Sequence, residues 1–209
     1  MAWDTERTKR LLLDAATAEF SEHGLAGARI DRIAATAGVN KERIYQYFGK
    51  KDDLFAAVLA TRLRASMDDV PMLGTGPAAA GDYAGRLFDH HLADAVIPRL
   101  VFWEGLERGA ATAADRARAT YHEEKVAAFQ RMLPGVDRAT AGELLLTIVT
   151  LVNAWPVLEH LDAFLVSGGP ARPAARRAAL VAAATELARA SLAAASVPDS
   201  GDGASDIQG

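Results

Sequence analysis

Residues 30–51 read IDRIAATAGVNKERIYQYFGKK, and the reading of this stretch decides the fold. Two short helices can cross steeply only under two local conditions. The turn between them needs a residue tolerant of positive φ, and a small side chain must sit where they touch. Gly38 meets the first condition and Ala34 the second, while Ile33, Val39 and Ile44 supply a small core between the helices. Helices are expected over about 30–36 and, after an N-cap at Asn40, up to Tyr47. The pattern is a helix-turn-helix, and its second helix would aim its N-terminal residues at a DNA major groove.

Along that second helix the side chains divide by chemistry. Lys41, Arg43 and Gln46 are long donors suited to guanine or adenine edges, and Glu42 could accept from cytosine. Tyr45 and Tyr47 carry hydroxyls suited to phosphate oxygens. Lys51 opens the next helix, where its ammonium and the free backbone N–H groups could hold one phosphate together; Arg29 is a further backbone candidate.

Outward from this stretch, the charge is uneven. Residues 1–51 hold nine Lys/Arg against seven Asp/Glu, and the rest hold fourteen against twenty, which sum to the net −4. A small cationic head on an acidic body fits a DNA reader with a second domain of another purpose. The chain has no cysteine, which excludes disulfides, thiolate metal sites and a cysteine nucleophile. No signal-peptide pattern opens it and no uninterrupted apolar run reaches the roughly 18 residues of a spanning segment, so a cytoplasmic, non-membrane protein is expected.

Helix-period patterns dominate and strand signals are scarce, so the expected class is all-α. A first helix should start at Asp4 or Thr5, bury Leu12, Ala16 and Phe20, and stop at Gly24. A fourth should run from about Lys51 to Asp69. The Pro/Gly-rich patch at 71–77 then precedes helices expected near 80–95, 98–109, 113–132, 137–165 and 172–196. The expected organisation is a three-helix DNA-binding domain at 1–50, a helical ligand-binding and dimerisation domain at 51–197, and a disordered tail at 198–209.

The run from Ile33 to Leu54, preceded by Phe20-Ser21-Glu22-His23-Gly24, resembles the signature of the TetR family of repressors. The resemblance covers about residues 5–60. It implies an Ω-shaped, all-helical homodimer that binds a near-palindromic operator and lets go when a small molecule enters the C-terminal domain. Two positions depart from the family pattern: Ala28 stands where a threonine commonly caps the second helix, and Asp31-Arg32 reverses the commoner basic-then-acidic order.

The second domain offers weaker signals. Phe102, Trp103 and Glu104 lie on one expected helix, Asn153 and Trp155 on another beside Pro156, with Phe88, His91 and Tyr121 nearby in the pattern. Buried polar groups and an interrupted helix among aromatics suit a mostly apolar ligand pocket. Leu180, Ala184, Leu187, Ala188 and Leu192 form one side of an alanine-rich helix suited to close helix packing, read here as a dimer face. No cofactor or metal is expected: His90-His91 and His122-Glu123-Glu124 lack ligand spacing, since neighbours on a helix point about 100° apart. Two alternatives stay open: a regulator controlled by a protein partner or by nothing, and a small helical enzyme, for which no nucleophile elbow, P-loop or dinucleotide fingerprint is present.

Overall fold

The computed structural model describes residues 2–108, 115–166 and 169–196, and these are helical with short connections and no strand. The tail expected to be disordered at 198–209 lies outside the described residues. Ten helices are described: α1 (Ala2–Gly27), α2 (Ile30–Ala37), α3 (Glu42–Phe48), α4 (Lys51–Asp69), α5 (Pro77–Ala93), α6 (Val96–Glu107), α7 (Asp115–Met132), α8 (Arg138–Asn153), α9 (Glu159–Leu165) and α10 (Arg172–Ala195).

α1 begins earlier than its expected caps, so Asp4 becomes a first-turn acid, where a carboxylate favours the helix dipole. Gly24 breaks it at φ 69° and the chain continues helically to Gly27. Leu12, Ala16 and Phe20 are fully buried, and Phe20 meets Phe55 of α4 edge to face at 5.1 Å. The core of the head does not end near residue 50. It runs through Leu54, Phe55, Val58, Leu59 and Leu63 of α4 and reaches Ile97 and Leu100 of α6. α4 is therefore shared between the head and the body.

A second core joins α5, α7, α8 and α10. α5 and α10 approach closely because α5 presents glycine at two successive turns: a Cβ at Gly81 would lie 2.8 Å from the Val181 carbonyl oxygen of α10. By length and composition α10 could cross a bilayer, but its inner residues Leu180, Ala184 and Ala188 are buried in this core.

The single helix expected over 137–165 is two helices. Pro156 has no N–H and disfavours helical backbone at the residue before it. The ladder stops at Asn153, the Trp155 N–H turns back to the Val152 carbonyl, and α9 restarts at Glu159. No residue of α9 is buried.

Candidate nucleic-acid interface and ligand cavity

The corner between α2 and α3 is closed by backbone. Gly38 adopts φ 65° and ψ 30°, and its N–H bonds the Ala35 carbonyl while the Val39 N–H bonds that of Ala34 at 3.0 Å. Ala34 and Ile44 are buried at the crossing. Asn40 Oδ1 accepts from the Glu42 N–H at 3.3 Å, which caps the start of α3 from its side chain. α2 lacks the threonine cap at Ala28, and α1 supplies the substitute. Glu19 Oε1 accepts from the Arg29 N–H at 2.8 Å and from Arg32 Nε at 2.8 Å. Burial pushes the Glu19 carboxyl up, but the Arg32 and Arg29 hydrogen bonds outweigh it and hold the group below its usual range. Arg32 is therefore engaged with α1 on the surface of the head, by its ion pair with Glu19.

Lys41, just before α3, and Glu42, Arg43, Tyr45 and Gln46 on it are all exposed. In the free protein several are pre-paired. Arg43 Nη1 donates to Gln46 Oε1 and to the Tyr47 hydroxyl, each at 3.1 Å, and Lys41 Nζ lies 3.2 Å from Asp31. The Asp31 hydrogen bond and charge hold the Lys41 ammonium above the usual lysine range. Tyr47 is half-buried, with Lys9 of α1 and Arg43 both over its ring, which adds Lys9 to the cationic face. Arg29, at the N-cap of α2, is exposed. Lys51 points back instead: its Nζ donates to the carbonyls of Ala28 at 3.2 Å and Ala26 at 3.4 Å, so it ties α4 to the entry of α2.

In the body, a cavity of about 300 Å³ opens between α4, α5, α6, α7 and α8. His91, Glu104, Tyr121 and Asn153 line it together. The other four residues expected there stand elsewhere. Phe88 is core and meets Trp155 edge to face at 5.9 Å, while Trp155 also carries Arg172 over its ring at 4.8 Å. Phe102 and Trp103 face an outer groove beside Ser21, Pro156 and Val157, and the Trp103 ring abuts Gly24 of α1. Of the proposed dimer face, Leu180, Ala184 and Ala188 are buried inside the monomer and Leu192 packs on the same core, which leaves Leu187 exposed.

The cavity's polar groups are unusual for their burial. Burial, then the charges of His90 and Lys125, pushes His91 down to about 4, so it is neutral at pH 7. Burial pushes the Lys125 ammonium down to about 8 and the Tyr121 phenol up to about 12. Lys125 was not anticipated. The signal was present in the spacing of Arg118, Tyr121, His122 and Lys125, which places all four on one face of α7.

Comparison with known proteins agrees at both ends of the chain. Residues 12–58 match the family described as bacterial regulatory proteins, tetR family, and residues 80–186 match the tetracyclin repressor-like C-terminal domain. The HTH-type transcriptional repressor SCO4008 of Streptomyces coelicolor is 41% identical over 174 residues, 81% of this chain and 89% of that protein. The crystal structure of SCO4942, also from Streptomyces coelicolor, is 32% identical, with a TM-score of 0.62 over 86% of this chain and 97% of that one. FadR of Bacillus subtilis, solved with stearoyl-CoA, shares the fold at 18% identity, a TM-score of 0.63 and coverage of 86% and 96%. With both of its domains matched and a repressor aligned along most of its length, the chain belongs to the TetR family of bacterial transcriptional regulators.

Proposed function

We propose that this chain is a cytoplasmic repressor that grips a palindromic operator as a homodimer and releases it when a small molecule fills the α4–α8 cavity. The carrying observation is that the cavity shares walls with the head. Leu63 and Ser66 of α4, and Ile97, Val101 and Glu104 of α6, line the cavity, while the same two helices pack on α1. A ligand that prefers a different spacing of α4 and α6 would move the DNA head, and such differential affinity is what a release mechanism requires. Membership of a regulator family sets the enzyme alternative aside.

On DNA, the exposed Lys41, Glu42, Arg43 and Gln46 would read base edges, and Arg29, Tyr45 and Tyr47 would hold the backbone, with Lys51 acting through the α2 entry it ties to α4. Dimerisation places two such helices about one DNA turn apart. With the inner side of α10 spent on α5, the second copy would meet the outward faces of α8 and α10, where Leu187 remains exposed.

Fluorescence anisotropy with a duplex from upstream of the chain's own gene, beside a shuffled duplex, tests the reading. The expected result is a strong preference for the first and a steep loss of affinity with salt. Equal binding of both at 150 mM salt would end the repressor assignment.

A further inference from the structure

The cavity wall is mostly apolar, built from residues such as Leu63, Leu87, Ile97, Val101, Leu145 and Val149. Two buried polar groups on it lack the partners that burial demands, and a half-buried lysine stands beside them without a counter-ion among the described residues. His91 is 3% exposed and neither ring nitrogen has a well-formed hydrogen bond, although the Asn153 side chain lies close enough to favour its charged form; Asn153 is 4% exposed and its Oδ1 has no partner of good geometry. Lys125 Nζ reaches the Tyr121 hydroxyl at 3.0 Å and, among the described residues, forms no ion pair. Desolvation lowers its pKa to about 8, so at pH 7 it still carries a charge with no counter-ion. Buried polar groups are paired as a rule, so a cluster left unpaired around an open volume points to what enters it.

The missing partner must be an acceptor with negative charge. The cavity's carboxylate, Glu104, is already held by Arg108 at 2.9 Å and by Arg118. A cationic ligand would therefore meet the Lys125 ammonium without a free acid to balance it, and a neutral apolar ligand would leave the cluster unsatisfied. A carboxylate can accept from Lys125, from the N–H of neutral His91 and from the Tyr121 hydroxyl; a half-turn of the Asn153 amide would add its NH₂. We propose that the cavity takes an apolar molecule bearing a carboxylate, with the head on Lys125, His91 and Tyr121 and the body along α6 and α8. The proposal rests on the cavity being the effector site, and it names the class of effector.

Calorimetry on the full chain at pH 7 with octanoate, octan-1-ol and octyltrimethylammonium provides the test, with operator release followed in parallel by anisotropy. Octanoate is expected to bind at least tenfold more tightly than octanol. Lys125→Met should abolish that margin while octanol binding persists, and Lys125→Gln repeats the measurement if the first variant folds poorly. Octanoate affinity should fall between pH 7 and pH 10 as the ammonium is lost. His91 and His122, both lowered by burial, are already neutral there, and Tyr121 keeps its proton; Glu104 and Arg118 face the site as a pair. If octanol or the ammonium compound binds as well as octanoate, the carboxylate assignment is overturned. Release of the operator by either would leave the effector cavity standing. If octanoate binds through Lys125 but the operator stays bound, the ligand class stands and the effector role fails. If none of the three binds, both fall.

Discussion

Arg43 and Lys51 are both cations of the head, yet their settings predict different losses. Arg43 projects from α3 with only Gln46 and Tyr47 to leave, so it can redirect to a base edge at little cost. Arg43→Ala should relax sequence preference by about 1–3 kcal/mol at the base it reads. Lys51 holds the Ala26 and Ala28 carbonyls, so Lys51→Met should weaken all duplexes alike and also lower the melting temperature. Anisotropy on a panel of single-base operator variants separates the two; identical profiles would refute the division. His91 carries a pH prediction of its own. Its folded pKa of about 4 lies below the unfolded value near 6.5, so the unfolded chain binds the proton first. The stability from keeping it neutral is complete above pH 6.5 and is lost as pH falls towards 4, by roughly 3 kcal/mol. Urea titrations at pH 7 and pH 4.5 should show His91→Leu losing less stability on acidification than the natural chain. The corner at Gly38 was legible in the sequence because positive φ and a small contact residue are local demands. The unpaired state of His91 was not, because it depends on α7 and α8 packing around it from far along the chain.

At the level of helices, the α5–α10 contact shows why a surface pattern does not name its partner. The small residues of α10 correctly announce a close helix contact, but the complement is Gly81 and Gly85 within the same chain. A Cβ at Gly81 would stand 2.1 Å from Thr185 Oγ1 and 2.8 Å from the Val181 carbonyl oxygen, and the second is backbone. At Gly85 the nearest atoms are Val181 Cγ2 at 2.9 Å and the end of Arg177 at 3.0 Å, which can swing away. Gly81→Ala should therefore cost about 1–3 kcal/mol, the usual range for overpacking, and Gly85→Ala distinctly less. Adding Thr185→Ala should recover part of the Gly81→Ala loss but not all, since the carbonyl stays. Chemical denaturation of the three variants beside the natural chain checks the order, and full recovery would show that the backbone contact is harmless. The broken α8–α9 segment teaches the same lesson in reverse: Pro156 was visible in the sequence, whereas the contact beside the break, the Trp155 ring against Phe88 of α5, joins residues far apart along the chain.

Over the whole molecule, α6 has two jobs on two faces. Ile97, Val101 and Glu104 form cavity wall, and Trp103 and Glu107 hold the end of α1. Glu107 Oε2 accepts from the Ala26 N–H at 2.9 Å, and the Trp103 ring fills the space where a Cβ at Gly24 would come within 2.9 Å. The sequence offered Trp103 as a ligand contact because it is aromatic and near Pro98; its position over Gly24 emerges only when α1 and α6 are folded together. A ligand that shifts α6 must drag α1, and with it the α2–α3 corner that Glu19 and Lys51 anchor. Removing the Glu107 bond should leave both binding sites intact and weaken the link between them. Glu107→Ala is thus expected to bind operator and ligand separately with nearly natural affinities, while the ligand-induced loss of operator affinity shrinks. Coupling between sites commonly amounts to about 5–150-fold, so a several-fold reduction is measurable. The measurement is the ratio of operator Kd with and without saturating ligand, compared with Glu107→Gln, which keeps an acceptor for the Ala26 N–H and should preserve the ratio. An unchanged ratio in Glu107→Ala would route the coupling through α4 instead, whose Leu63 and Ser66 also line the cavity.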